Sequence, residues 1–253
     1  MMNLMKADIY RIAKGKGIYI AFAILLILAV FTVLVFRAAP TGPVAVSEGG
    51  EDVVTGAVAA QFALNNVADN IIHFFIAAAV MAVMAGFSSG AIRNEISIGT
   101  SRTKIYLARW LLAIGLGFIF MLANVLLHMV IALPLDGAGN FSAGLFQSLA
   151  LQLAIMVAYV SVLVFLAFTT KKTAVVITLI LIFTFVPVGT VSMLSDAYPR
   201  LMQFQYYDLV SQFYFFAGEA SGVQIARGLV LAGGYVLVTT LGGIVLFSRC
   251  EVK

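Results

Sequence analysis

Few residues in this chain are able to do chemistry, and their spacing narrows what they can do. His73 and His128 lie near the same end of two antiparallel apolar stretches, where a two-histidine metal or proton site could form inside a membrane. Neither has a carboxylate within a helical turn, and zinc usually takes at least three protein ligands, so the pair predicts hydrogen-bonded histidines and no bound metal. Asn124 and His128 stand four residues apart on one helical face, and Gln147 and Gln152 enter the next apolar stretch. These four form a polar stripe directed at a bundle interior, serving as packing contacts or as a polar substrate path. Gly15-Lys16 lacks the earlier glycine and the following hydroxyl of a phosphate-cradling loop, so no nucleotide or other cofactor is expected on this chain. Cys250, the one cysteine, can close no internal disulfide and has no metal-ligand spacing around it.

The elements that must position these residues are membrane spans. The 253 residues are 62% hydrophobic and 10% charged, against roughly 25% charged in an ordinary soluble domain. The apolar residues fall in six blocks: Gly17 to Phe36, Ile71 to Phe87, Ile105 to Leu133, Leu145 to Phe168, Thr173 to Met193 and Ile225 to Phe247. At about 1.5 Å per residue such blocks reach across a hydrocarbon layer about 30 Å thick. The first is too long, and lacks the cleavage site, for a signal peptide, so it reads as an uncleaved anchor. None of the six holds an aspartate or glutamate, which removes the buried acid an intramembrane enzyme needs; no catalytic residue is expected.

Lysine and arginine collect on the cytoplasmic side of a membrane. Six crossings place twelve of the 15 basic residues on the side of the N-terminus, leaving Arg37, Arg200 and Arg227 opposite. An odd number of crossings would destroy that asymmetry, so both termini are predicted cytoplasmic. The expected class is an all-α membrane protein, one transmembrane domain over residues 1–253, of the bacterial plasma-membrane type. The net charge of +4 is absorbed by topology and implies no nucleic acid.

Around the spans, residues 1–16 predict an amphipathic helix with Met5, Ile9 and Ile12 on one side. Residues 37–70 and 194–224 are the large external segments. The first has a loop signature near Pro40 and a helical stretch from Val53 to Val67; the second is dense in aromatics and is expected to dip back into the membrane. Pro187 with Gly189 interrupts the fifth block. Small residues at four-residue spacing (Ala78, Ala82 and Gly86; Ala113 and Gly117; Gly228 and Ala232) predict close helix packing.

The segment 88–104 joins the second and third blocks on the cytoplasmic side. Gly90 and Gly99 bracket a short amphipathic helix with Ile92, Glu95 and Ile96 on one face and Arg93, Asn94 and Ser97 on the other, and Thr100 or Ser101 can cap the next helix. The expectation is that this helix docks on a cytosolic partner through Ile92, Ile96 and Glu95.

This loop resembles the first cytoplasmic loop of ABC-2-type transporter permeases, especially the small six-helix ones associated with antimicrobial-peptide export and self-immunity. Gly90, Arg93, Asn94, Gly99, Ser101, Arg102 and Tyr106 fit the pattern, while Arg109 stands where lysine is more frequent. The resemblance implies an N-terminal elbow helix, a coupling helix between spans two and three, and an external re-entrant segment between spans five and six. It also implies two cytosolic ATPase subunits carrying ATP and magnesium, a second permease copy or a homologous permease, and an amphipathic cargo such as a peptide or antibiotic. A non-catalytic membrane sensor or scaffold is the alternative that the same layout allows.

Overall fold

The computed structural model describes residues 2–38, 67, 72–136, 143–194, 198–217 and 220–249, and all its regular elements there are helical. An amphipathic α1 (Met2–Lys14) turns at Gly15 into α2 (Lys16–Ala38). The second block is broken: α3 (Ile72–Ala79) runs into a π-helical segment (Val80–Met84) and then α4 (Ala85–Ser88). A 62° bend at Ser89 and Gly90 leads into α5 (Ala91–Ser97). The long α6 (Arg102–Asp136) and α7 (Ala143–Thr170) follow, then α8 (Thr173–Leu194), a 3-10 helix (Pro199–Tyr206), α9 (Leu209–Phe215) and α10 (Gly222–Arg249).

Four of these, α2, α6, α7 and α10, are long and apolar enough to cross a membrane, and the count is up to five if Ile72–Ser88 and Ala91–Ser97, bent by 62°, form one span. They expose apolar side chains outward, including Ile27, Phe31, Val230, Val238 and Leu241, as lipid-facing helices do. The chain is a multi-pass membrane protein. The expected fifth block forms α8, but its apolar stretch, Thr173–Pro187, is shorter than the others, and Pro187 lies inside a helix that continues past it. Of the expected Val53–Val67 helix only Val67, which is buried, lies within the described residues.

Lipid tails are as apolar as leucine, so the helices are held together by close packing and hydrogen bonds rather than by exclusion of water. The small residues predicted for that role are at the contacts. Ala78, Ala82 and Gly86 are buried, Gly117 faces Met156, Val160 and Phe75, and Gly228 receives the ring of Phe216. α7 lies at the centre, with α10 along one side and α6 along another.

Two aromatic clusters sit at different depths. At the end rich in lysine and arginine, called here the basic end, Phe168 packs on Tyr106, Phe247 and Phe87 at centroid distances of 4.8, 4.7 and 5.5 Å. Midway along α6 and α7, Phe213 of α9 lies 6.0 Å from Phe75 and 6.4 Å from Tyr159. Each such pair adds about 0.5–1.5 kcal/mol beyond its burial. Within the segment 194–224, expected to dip back into the membrane, the described residues form the 3-10 helix and α9. Asp208 caps α9 by accepting from the Ser211 amide at 2.8 Å, and Leu209 to Phe213 are buried against the bundle.

Candidate functional site

The densest polar arrangement lies at the basic end, around Arg109. This residue sits in the third turn of α6 and its side chain is fully buried. A guanidinium without water must find acceptors, and Arg109 finds three on three different elements. Its Nη1 meets Asp8 Oδ1 of α1 at 2.6 Å and donates to the Ala82 carbonyl of the π-helical segment at 3.3 Å. Its Nη2 donates to Glu95 Oε1 of α5 at 2.6 Å. Arg11, one turn after Asp8, lies 3.0 Å from the same Asp8 oxygen and donates to Ser89 Oγ at 3.2 Å.

Two carboxylates and two guanidiniums balance in charge, which lets the group exist away from water. Burial pushes both the Asp8 and the Glu95 carboxyls above the ordinary range, against the pull of Arg109. Among the described residues, Asp8 Oδ2, Glu95 Oε2 and Arg109 Nε are buried without a hydrogen-bond partner. What the arrangement can do is fasten one helix to another.

The local sequence explains how the parts meet. Gly90 starts α5 with φ 70° and Gly99 follows it with φ 86°, a left-handed backbone that glycine adopts without strain. Gly86 opens the space beneath: a Cβ there would lie 3.1 Å from Ile92 and 3.3 Å from the Arg109 guanidinium carbon. The π turn matters as well, because a wide turn skips one carbonyl where the α ladder resumes. Arg109 gives the Ala82 carbonyl of that segment a donor.

The predicted faces of α5 are present, but the side expected to dock outward is turned inward. Ile92 is fully buried in this chain's own core, Ile96 packs against that core, and Glu95 is taken up by Arg109. The outward face carries Arg93, Asn94, Ser97 and, just beyond the helix, Ile98, which is 79% exposed. The reason is physical: the sequence shows that one face is apolar, while the span next door decides which partner covers it. Ser101 is exposed, and its carbonyl accepts the Ile105 amide at 3.1 Å. Arg102 donates to the Phe247 and Ser248 carbonyls at 3.1 and 3.4 Å, closing the end of α10. On α1, Asp8 and Ile12 are buried while Ile9 is half exposed, so the predicted apolar side is divided between core and surroundings.

The polar stripe is brought inside in three of its four positions. Asn124, His128 and Gln152 are buried, whereas Gln147 is exposed and leaves the stripe. His128 Nδ1 donates to the Asn124 carbonyl at 2.8 Å and Gln152 donates to the Phe213 carbonyl at 3.0 Å. His73 is exposed, with its ring 5.8 Å from Phe185. Sequence reasoning missed Asp8 and Arg109 as partners. Asp8 is the one acid among the basic residues of the N-terminal helix, and that was the available signal.

No family model, related protein or solved structure matches this chain.

Proposed function

We propose that the chain is the membrane-spanning permease subunit of an ATP-driven exporter in a bacterial plasma membrane. It crosses six times with both termini in the cytoplasm, and two permease copies work with two separately encoded ATPase subunits that carry ATP and magnesium. α1 is the elbow helix at the inner surface, α5 the coupling helix, and the segment from the 3-10 helix through α9 the external re-entrant element. The cargo is an amphipathic compound such as a peptide or antibiotic, moved for export or self-immunity.

The observation that carries this reading is α5 itself. It is a short helix set on a sharp bend, with its inner face seated in the bundle by Ile92 and Glu95 and its outer face left open. A helix held rigidly on one side can pass a push into the spans, as a solvated loop cannot. The contact surface offered is Arg93, Asn94, Ser97 and Ile98, and full burial of Ile98 in a partner groove would contribute about 1.5–3 kcal/mol.

Copurification in lipid with the products of neighbouring reading frames tests it. The wild-type chain is expected to bring down an ATPase and to stimulate its hydrolysis with cargo. Ile98→Asp combined with Arg93→Glu should release the ATPase while the membrane fold persists, since both side chains face outward. A wild-type chain that retains a kinase and no ATPase would establish the sensor reading instead. A double variant that still binds its ATPase would remove α5 as the contact.

A further inference from the structure

Among the described residues, the second apolar block changes helix type partway, and the change occurs where Arg109 reaches it. α3 and α4 are joined by the π-helical segment Val80–Met84, within which the Ala82 carbonyl accepts from Arg109 at 3.3 Å. A π turn is one surplus residue in an otherwise α-helical ladder, and it persists only where the surroundings satisfy the group it leaves over. The side-chain donor that reaches this segment is Arg109, which is itself held by Glu95 and Asp8 at 2.6 Å each.

We propose that span two is a two-register element and that Arg109 selects its register. With Glu95 and Asp8 in place, Arg109 holds the Ala82 carbonyl and the π register is kept. When α5 shifts and draws Glu95 away, Arg109 leaves that carbonyl and the segment relaxes into an α ladder. The inner half is tied to α5 by Ile92 against Gly86, so the outer half, α3, makes the adjustment. Absorbing one residue turns a helix by about 100° and moves it by about 1.5 Å. Such a turn carries Phe75 away from Phe213 and Tyr159, the rings that seat α9 midway along α6 and α7. A displacement at the basic end is thereby converted into release of α9 deeper in the bundle, through an element with two discrete states. The device needs only the fold and stands whether or not α5 receives an ATPase.

The test uses labelling of a buried position on α9. In a Cys250→Ser background, Ser211→Cys is probed with a maleimide in nanodiscs, where both faces are open; Ser211 is buried in the resting fold. Arg109→Met is expected to raise the labelling rate about tenfold, as a two-state opening that becomes about ten times more populated does. Glu95→Gln should act in the same direction with a smaller factor, and it carries the test if Arg109→Met does not insert. The discriminating background is deletion of Met81, which removes the surplus residue and leaves both flanks in phase. In that chain Ser211→Cys should label at the wild-type rate with or without Arg109→Met. The proposal is overturned if neither single variant raises labelling, if Arg109→Met raises it equally in the Met81-deleted chain, or if deletion of Met81 abolishes insertion.

Discussion

Arg109 shows how far a single buried charge can organise its neighbourhood. It is fully buried and bonded to Asp8, Glu95 and the Ala82 carbonyl, so its charge is compensated by protein. Removing one partner of a buried ion pair costs about 3–5 kcal/mol, because the other charge is left without water or counter-charge. Arg109→Met is therefore expected to lower stability by about that amount in denaturant titration in mixed micelles. Arg109→Lys keeps the charge but not the fork that reaches two carboxylates and a carbonyl at once, and should fall between. Equal stabilities for Lys and Met would place the effect in packing and not in charge. The pH dependence has a definite sign. Burial raises the Asp8 and Glu95 carboxyls above their ordinary values of 3.8 and 4.5, so the folded state takes up protons before the unfolded chain does. Their contribution is then most favourable below those ordinary values and is lost as pH rises through the raised ones. Relative to an Asp8→Asn, Glu95→Gln double variant, the wild type should gain melting temperature as pH is lowered toward the ordinary carboxylate range. The reverse trend would show that attraction to Arg109 outweighs burial.

Whole elements are pinned by contacts that only glycine permits, and α10 carries two of them. A Cβ on Gly243 would overlap the Tyr106 ring, and one on Gly228 would overlap the Phe216 ring. Gly233 and Gly234 on the same helix face open space. Gly243→Ala and Gly228→Ala should each cost about 1–3 kcal/mol as overpacking, whereas Gly233→Ala should be neutral or stabilise by up to about 1 kcal/mol through helix propensity. Thermal unfolding in lipid separates the two classes; a uniform effect across the three variants would refute the sockets. Much of this layer was legible beforehand. The small-residue spacing of Gly228 and Ala232 marked a packing face, and the pattern of Ile92, Glu95 and Ile96 marked an amphipathic helix, because periodicity records faces directly. What periodicity does not record is the partner of a face. Ile92 therefore looked like a docking residue, although its neighbour is Gly86 one bend away. Asp8 and Arg109 went unpaired for a related reason: about a hundred residues separate them, and each alone fits a bland role as a helix-surface acid or a positive-inside charge.

At the scale of the molecule the question is how many times the chain crosses, and the contacts supply an argument that hydropathy lacks. α7 ends at the basic end, where Phe168 meets Tyr106 and Phe247. α10 begins at the opposite end, where Gly228 receives Phe216 of the segment following α9, and α9 meets the start of α7 through Gln152. α10 then returns to the basic end, where Arg102 closes its last carbonyls. The chain between Lys171 and Gly222 must therefore travel from one end to the other, and α8 is the element that does so, with Thr184 hydrogen-bonded to Tyr159 at 2.6 Å along the way. Its apolar stretch is short, but Tyr159 and Thr184 satisfy each other's hydroxyls, which removes the penalty of carrying polar groups through lipid. On the proposed reading of six crossings the basic residues assign the sides: Lys171 and Lys172 stand with α1 and Arg249 on the inner one, and position 48 is expected on the outer. In a Cys250→Ser background, a membrane-impermeant maleimide applied to intact cells should label Glu48→Cys and leave Lys171→Cys unlabelled until the membrane is permeabilised. If both positions label from outside, α7 and α8 do not cross as described; if the pattern is reversed, the crossings stand but the orientation, and with it an inward-facing α5, is lost.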